Sequence, residues 1–194
     1  DACSLLGDGA RVLTRLMKKV EAAVGGLAAG VRDRMRTVRK KVVAIAISAR
    51  RKGPEGEKQR KEHYRKLLKV TRQILHQAGR VSKQVTELSK SKQVAVRPLL
   101  QQIATMTART KQVIRQTKAR IFGGDTKAPD KVVSMFEPHT EVIRKGKASK
   151  PNEFGKMVKI QEAENQLIIH YEVFDDRPND ADLLVDSLRT HEER

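Results

Sequence analysis

The hydrophobic positions of the first fifty residues recur in steps of three and four, which is the period of an α-helix. The stripe consists of Leu13, Met17, Val20, Val24, Leu27, Val31, Met35, Val38, Val42 and Ile45. The pattern predicts one long amphipathic helix over roughly residues 9–50. Gly25, Gly26 and Gly30 fall inside it and favour a bend or a close helix contact there.

Two further helical stripes follow the sequence KGPEGEK at residues 52–58, which breaks the first helix. The second stripe runs through residues 67–88 and the third through residues 99–121. The short break predicts that the first two helices run antiparallel, as a helical hairpin or bundle with an apolar seam and basic outer faces. A self-associating coiled coil would use the same seam, so a homo-oligomer is an open alternative. Pro98 either begins a new helix or kinks a continuous one.

The hydrophobic period changes from about 3.6 to 2 after the glycines at positions 123 and 124. KVVSMF and TEVIRK are predicted to be short strands, while EFGKMVKIQEA and LIIHYEVFD are predicted to form a hairpin around the turn AENQ. A final helix is expected to begin at Asn179 or Asp180.

We therefore expect an α+β protein. Residues 1–122 would form a basic helical region. Residues 127–194 would form a smaller strand, strand, strand, helix domain with a three-stranded sheet.

Charge divides the chain at the same place as the hydrophobic period. Residues 1–122 carry 30 basic and 8 acidic side chains, whereas residues 123–194 carry 11 and 15. A positive excess of this size favours a polyanionic partner, nucleic acid first and an anionic membrane surface second. Among nucleic acids, we expect double-stranded DNA. A solvated helical surface without a partner is the alternative interpretation. The cluster Arg50, Arg51 and Lys52, at the first helix break, is a candidate DNA contact.

Few residues suggest an active site of their own. The single cysteine, Cys3, excludes an internal disulfide, and the five histidines lack metal-ligand spacing. No phosphate-binding glycine motif, membrane-spanning segment or secretory signal is visible. Carboxylates gather only around residues 175–186, where strand-end and helix-capping positions explain them better than a metal site does. We predict neither a catalytic residue nor a metal ligand.

A second basic cluster lies between the predicted strands. Arg144, Lys145, Lys147 and Lys150 surround Gly146, where the backbone can approach a phosphate closely while the basic side chains supply charge-assisted hydrogen bonds. We predict that these four residues bind DNA. Lysines that protect the edge of a sheet would give the same pattern.

The segment VVSMFEPHTEVIRKGKASKPNEFGKMVKI, with the later NDADLLVDSL, resembles the catalytic domain of bacterial insertion-sequence transposases of the DDE class. LLGDGARVLTRLMKK likewise resembles the helical insertion that some members carry. The resemblance implies a partial RNase H-like, integrase-like fold. It also implies DNA transposition, in which Mg²⁺ ions held by three carboxylates activate the attacking group.

Matched residue by residue, the family's metal-binding carboxylates fall outside residues 1–194, and Asp180 matches a helix-start Asp that is not one of them. The resemblance therefore implies an internal transposase segment that binds DNA, binds no Mg²⁺ alone and is inactive alone. We expect it in the bacterial cytoplasm, at the nucleoid. The alternative is a non-enzymatic, nucleoid-associated helical DNA-binding protein.

Overall fold

A computed structural model describes residues 1–127, 131–137, 140–144, 152–174 and 178–192. The chain divides into two compact units, Asp1–Phe136 and Glu137–Arg194. The first is a bundle of four helices. The second contains small antiparallel hairpins and one helix. The predicted α+β class is therefore confirmed.

The four helices of the first unit are α1 (Ala2–Val24), α2 (Met35–Ala49), α3 (Pro54–Thr86) and α4 (Lys90–Gly123). Residues 50–53 form the short connection between α2 and α3 on which the predicted antiparallel pairing depends. Gly53 adopts a positive φ of 90° there, and Pro54 occupies the first turn of α3. α4 is continuous through Pro98, so this proline does not begin a new helix.

The prediction of one long helix over residues 9–50 is wrong, because α1 ends at Val24 and α2 begins at Met35, with ten residues between them. Gly25 closes α1 in the left-handed conformation, with φ of 78°, and its N–H group faces the carbonyls of Ala22 and Glu21. The Glu21 carboxylate accepts a hydrogen bond from the N–H group of Val31 (2.9 Å), which holds the connection against α1.

The core of the first unit is built around α1, which packs against each of the other three helices. The buried face of α1 includes Leu6, Leu13, Met17 and Val20, each 0% exposed. Burying one such side chain stabilises the fold by about 1.5–3 kcal/mol. Leu67 and Ile74 of α3 and Val96, Ile103 and Val113 of α4 belong to the same core.

Residues 131–136 do not form the strand predicted for KVVSMF. Their backbone groups bond to side chains of α4 instead of to a neighbouring strand. The side-chain amide of Gln116 exchanges two 2.9 Å hydrogen bonds with the backbone of Val132, and Arg109 donates to the carbonyl of Met135 (2.8 Å). Met135 is 1% exposed, so its burial in the helical core accounts for the apolar pattern.

In the second unit, strand β1 (Glu141–Arg144) pairs antiparallel with β2 (Asn152–Gly155), and β3 (Met157–Ala163) pairs antiparallel with β4 (Leu167–Phe174). The turn between β3 and β4 places Asn165 and Gln166 at positive φ. Helix α5 (Asp180–Glu192) follows.

Two two-stranded sheets therefore replace the expected three-stranded sheet within the described parts of the chain. The strand predicted over residues 153–163 is divided at Lys156, directly after Gly155. Its first part pairs with β1 and its second part with β4. The amide of Gln161 on β3 donates to the carbonyl of Ser187 on α5 (2.7 Å), which joins the second hairpin to the helix.

We predict opposite stability effects from two Gly-to-Ala substitutions in helices. A β-carbon at Gly9 would lie 2.5 Å from Oγ1 of Thr110 on α4, so Gly9→Ala should lower the free energy of unfolding by about 1–3 kcal/mol. Gly79, on the exposed side of α3, has nothing within 4 Å of the same position, so Gly79→Ala should raise it by about 0.5–1 kcal/mol. Urea denaturation followed by circular dichroism measures both, and equal effects of one sign would contradict the close α1–α4 contact.

Candidate nucleic-acid interface

Most basic side chains within residues 1–127 form no ion pair with another residue of that range. Within residues 1–127, ion pairs engage only Arg11, Lys18, Lys61, Arg65 and Lys66. Nearly all of the paired groups are substantially exposed, so solvent and salt weaken these contacts. The positive charge of the unit is therefore largely available to an external anion.

One row of cations runs along the outer face of α1. We call Arg11, Arg15, Lys18 and Lys19 the α1 basic stripe; their spacing places them on one face of the helix. The stripe lines an open groove of about 420 Å³ that is bounded by Asp33 and Met35 at the start of α2.

Only part of the α1 basic stripe is neutralised. Arg11 pairs with Asp8 and Lys18 pairs with Asp33, each at 2.6 Å. The hydrogen bond from Lys18, followed by that from the N–H group of Met35, lowers the pKa of Asp33. Arg15 and Lys19 make no ion pair or side-chain hydrogen bond within the described residues.

A second basic groove, of about 270 Å³, lies between α3 and α4. Arg65, Arg72 and Lys118 surround the ring of Phe122. The guanidinium carbon of Arg65 lies 5.4 Å from the centre of this ring, within the range of a cation–π contact. Because Arg65 is also paired with Glu62, this α3–α4 groove keeps two cations without an ion pair among the described residues, Arg72 and Lys118, the same number as the α1 basic stripe.

The predicted cluster Arg50, Arg51 and Lys52 is exposed at the connection between α2 and α3. Arg51 donates to the side-chain oxygen of Gln59 (2.8 Å), and its carbonyl lies against Gly56, where a β-carbon would approach to 2.4 Å. These contacts hold the connection in place. They bring the cluster together on the surface of the helical unit, and its predicted DNA contact stays a prediction.

The second predicted cluster lies only partly within the described residues. Arg144 is the last residue of β1 and pairs in register with Asn152. Lys145, Lys147 and Lys150 lie outside the described residues, so their predicted role in DNA binding stays a prediction.

A thiol and a phenol lie together in the helical core. Cys3 is 4% exposed and Tyr64 is 5% exposed. Burial raises the pKa of the Cys3 thiol above its ordinary value of 9.0, which disfavours the reactive thiolate. Burial, with a further contribution from Cys3, raises the pKa of Tyr64 to about 12. The pair therefore belongs to the core, not to a nucleophilic site.

The Mg²⁺ implied by the transposase resemblance has no matching donor set among the described residues. In the described parts of the chain, no group of three or more His, Cys, Asp and Glu side chains could hold a metal ion. Within the same residues, no helix combines the length and apolar character that crossing a membrane requires.

Comparison with protein-family models, with curated proteins and with solved structures gives no match for this chain. The functional proposal therefore depends on the chain's own residues and their arrangement.

The α1 basic stripe and the α3–α4 groove were not predicted from the sequence, although basic outer faces were predicted for the helices. A signal for the stripe was present, because residues 11, 15, 18 and 19 follow the helical period on the face opposite the hydrophobic stripe. The α3–α4 groove joins residues about fifty positions apart, and no local spacing indicates that contact.

We predict that Tyr64 ionises about two pH units above an ordinary tyrosine. Its folded-state pKa exceeds the unfolded value of 10.0, so its contribution to stability is fully present below pH 10 and is lost as the pH rises towards 12. The substitution Tyr171→Phe leaves Tyr64 as the single tyrosine, and tyrosinate absorbance can then be followed with circular dichroism. Ionisation near pH 10 while the helices are intact would contradict this burial.

Proposed function

We propose that the helical unit binds double-stranded DNA through the phosphate backbone. The observation that carries the proposal is the α1 basic stripe, where Arg15 and Lys19 have no anionic partner among the described residues. Neutralising DNA phosphates with basic side chains releases condensed counterions, and this release drives binding that does not depend on sequence.

The geometry of the stripe suits a linear polyanion. Arg11 and Lys19 are eight residues apart on α1, which corresponds to about 12 Å along the helix axis. Duplex DNA carries one charge per ~1.7 Å of its axis, so this length faces several phosphates. The groove beside the stripe is open to solvent, so an external backbone can reach it.

We further propose that this DNA contact serves transposition. The support is the resemblance of residues 132–160 and 179–188 to DDE transposases, together with the basic helical unit that precedes them. The described residues offer no metal-binding cluster, and no chemical step is assigned to them. The helical unit would hold DNA while carboxylates outside residues 1–194 perform the reaction.

The electrostatic contact predicts a steep salt dependence. Each phosphate contact contributes about −0.9 to the slope of the logarithm of the binding constant against the logarithm of salt concentration. The double substitution Arg15→Gln and Lys19→Gln removes two contacts, so the slope should become less steep by about 1.8. The affinity should fall by the same factor for duplexes of different sequence. Fluorescence anisotropy over a series of salt concentrations measures both quantities.

The matched control for that experiment is Lys69→Gln with Lys83→Gln, which removes the same charge from exposed positions on α3. It should leave the slope close to that of the unchanged protein. Equal losses from the two double variants would contradict the α1 basic stripe as the contact. Binding that is independent of salt would contradict the electrostatic proposal altogether.

For transposition, we predict that residues 1–194 alone do not nick transposon-end DNA in Mg²⁺. A longer protein that includes the neighbouring carboxylate-bearing segments should cut the same DNA. Gel assays of end-labelled duplexes compare the two proteins. Nicking by residues 1–194 that Asp180→Ala abolishes would contradict the placement of the catalytic carboxylates.

A further inference from the structure

A small polar pocket lies where the start of α2 meets the middle of α3. It has a volume of about 180 Å³ and is lined by Arg32, Arg34, Thr37, Val70 and Gln73. A cavity of about 150 Å³ can hold benzene, so this pocket has room for a group of five heavy atoms such as phosphate. Its two guanidinium groups, hydroxyl and amide can all donate hydrogen bonds.

The nearby carboxylates are engaged elsewhere. Asp33 lies between the two arginines in sequence, but one of its oxygens accepts from Lys18 (2.6 Å) and the other accepts from the N–H group of Met35 (2.8 Å). Glu21 accepts from the N–H group of Val31. Arg32 and Arg34 consequently have no carboxylate partner within the described residues.

The arginine within the pocket is held in place by a buried amide. Arg34 donates to the side-chain oxygen of Gln77 on α3 (2.5 Å), and Gln77 is 2% exposed. The amide nitrogen of Gln77 is buried and has no hydrogen-bond partner in the part of the chain that is described. A donor left unpaired beside a guanidinium group is costly unless an acceptor completes the arrangement.

Other positive charges lie near Arg34. Burial, followed by repulsion from Arg32 and Arg80, lowers the pKa of Arg34. Arg80 lies three residues beyond Gln77 on α3, and its side-chain partner among the described residues is Nδ1 of His76 (3.0 Å). Two of these positive groups, Arg32 and Arg34, line the pocket and no carboxylate does, so an oxyanion bound there would be stabilised.

We propose that this pocket binds a phosphate group, with Arg32 and Arg34 pairing with its oxygens and Thr37 and Gln73 donating from the pocket wall. The inference goes beyond the proposed function, because the group can be free phosphate or a phosphate of the DNA backbone. The amino end of α2 adds a favourable dipole at the same place.

The first test is calorimetric titration of the whole chain with inorganic phosphate in chloride buffer. Arg32→Gln should weaken binding about tenfold, because it removes charge-assisted hydrogen bonds. Arg36→Gln is the matched control, since Arg36 is exposed on the same segment and does not line the pocket. Thr37→Val, which keeps the side-chain shape, should also weaken binding, and circular dichroism should show unchanged helix content in each variant.

The second test repeats the comparison with duplex DNA. If Arg32→Gln weakens duplex binding more than Arg36→Gln does, the pocket takes a backbone phosphate. If only the titration with inorganic phosphate separates the two variants, the pocket takes a free phosphate group. If the chain binds inorganic phosphate but does not bind duplex DNA, the pocket proposal is supported and the proposed DNA function is overturned. The pocket proposal is overturned if neither ligand separates Arg32→Gln from Arg36→Gln.

Discussion

The burial of one face of α1 against the three other helices is the contact on which the helical unit depends. Leu6, Leu13, Met17 and Val20 are fully buried there, and Gly9 permits α4 to approach closely. The side of α1 opposite this buried face is turned to solvent. It carries a row of four basic residues: Arg11, Arg15, Lys18 and Lys19. The hydrophobic core therefore determines where the positive charge is presented.

Asp8 and Asp33 neutralise part of this charge, but two acidic residues of this region also bind the backbone. Glu21 and Asp33 bind backbone N–H groups of the connection between α1 and α2, at Val31 and Met35. A carboxylate used in this way is less available to neutralise neighbouring arginines. The same connection thus stabilises the bundle and leaves basic side chains on either side of it for an anionic ligand.

The hydrophobic period predicted the helical stripes well, because a stripe in the sequence corresponds directly to a buried helix face. It failed between α1 and α2 for a physical reason. Leu27 and Val31 continue the three-and-four spacing and pack against the core, although they lie in the connection and not in a helix. Spacing alone does not distinguish a helix from a non-helical segment that covers the same core.

Prediction also failed where side chains replace backbone partners. Residues 131–136 have the apolar pattern of a strand, but Gln116 and Arg109 of α4 bind their backbone groups. Of the candidate site, overall charge and the basic outer faces were predictable from composition. The α3–α4 groove and the pocket beside Gln77 were not, because both depend on contacts between residues distant in sequence.

Lysine-modification footprinting of the whole chain, with and without duplex DNA and analysed by mass spectrometry, shows whether the α1 basic stripe contacts DNA. We expect DNA to slow the modification of Lys18 and Lys19, on the α1 basic stripe, more than that of Lys83 on α3. Equal modification rates at Lys18 and Lys19 with and without bound DNA would contradict it.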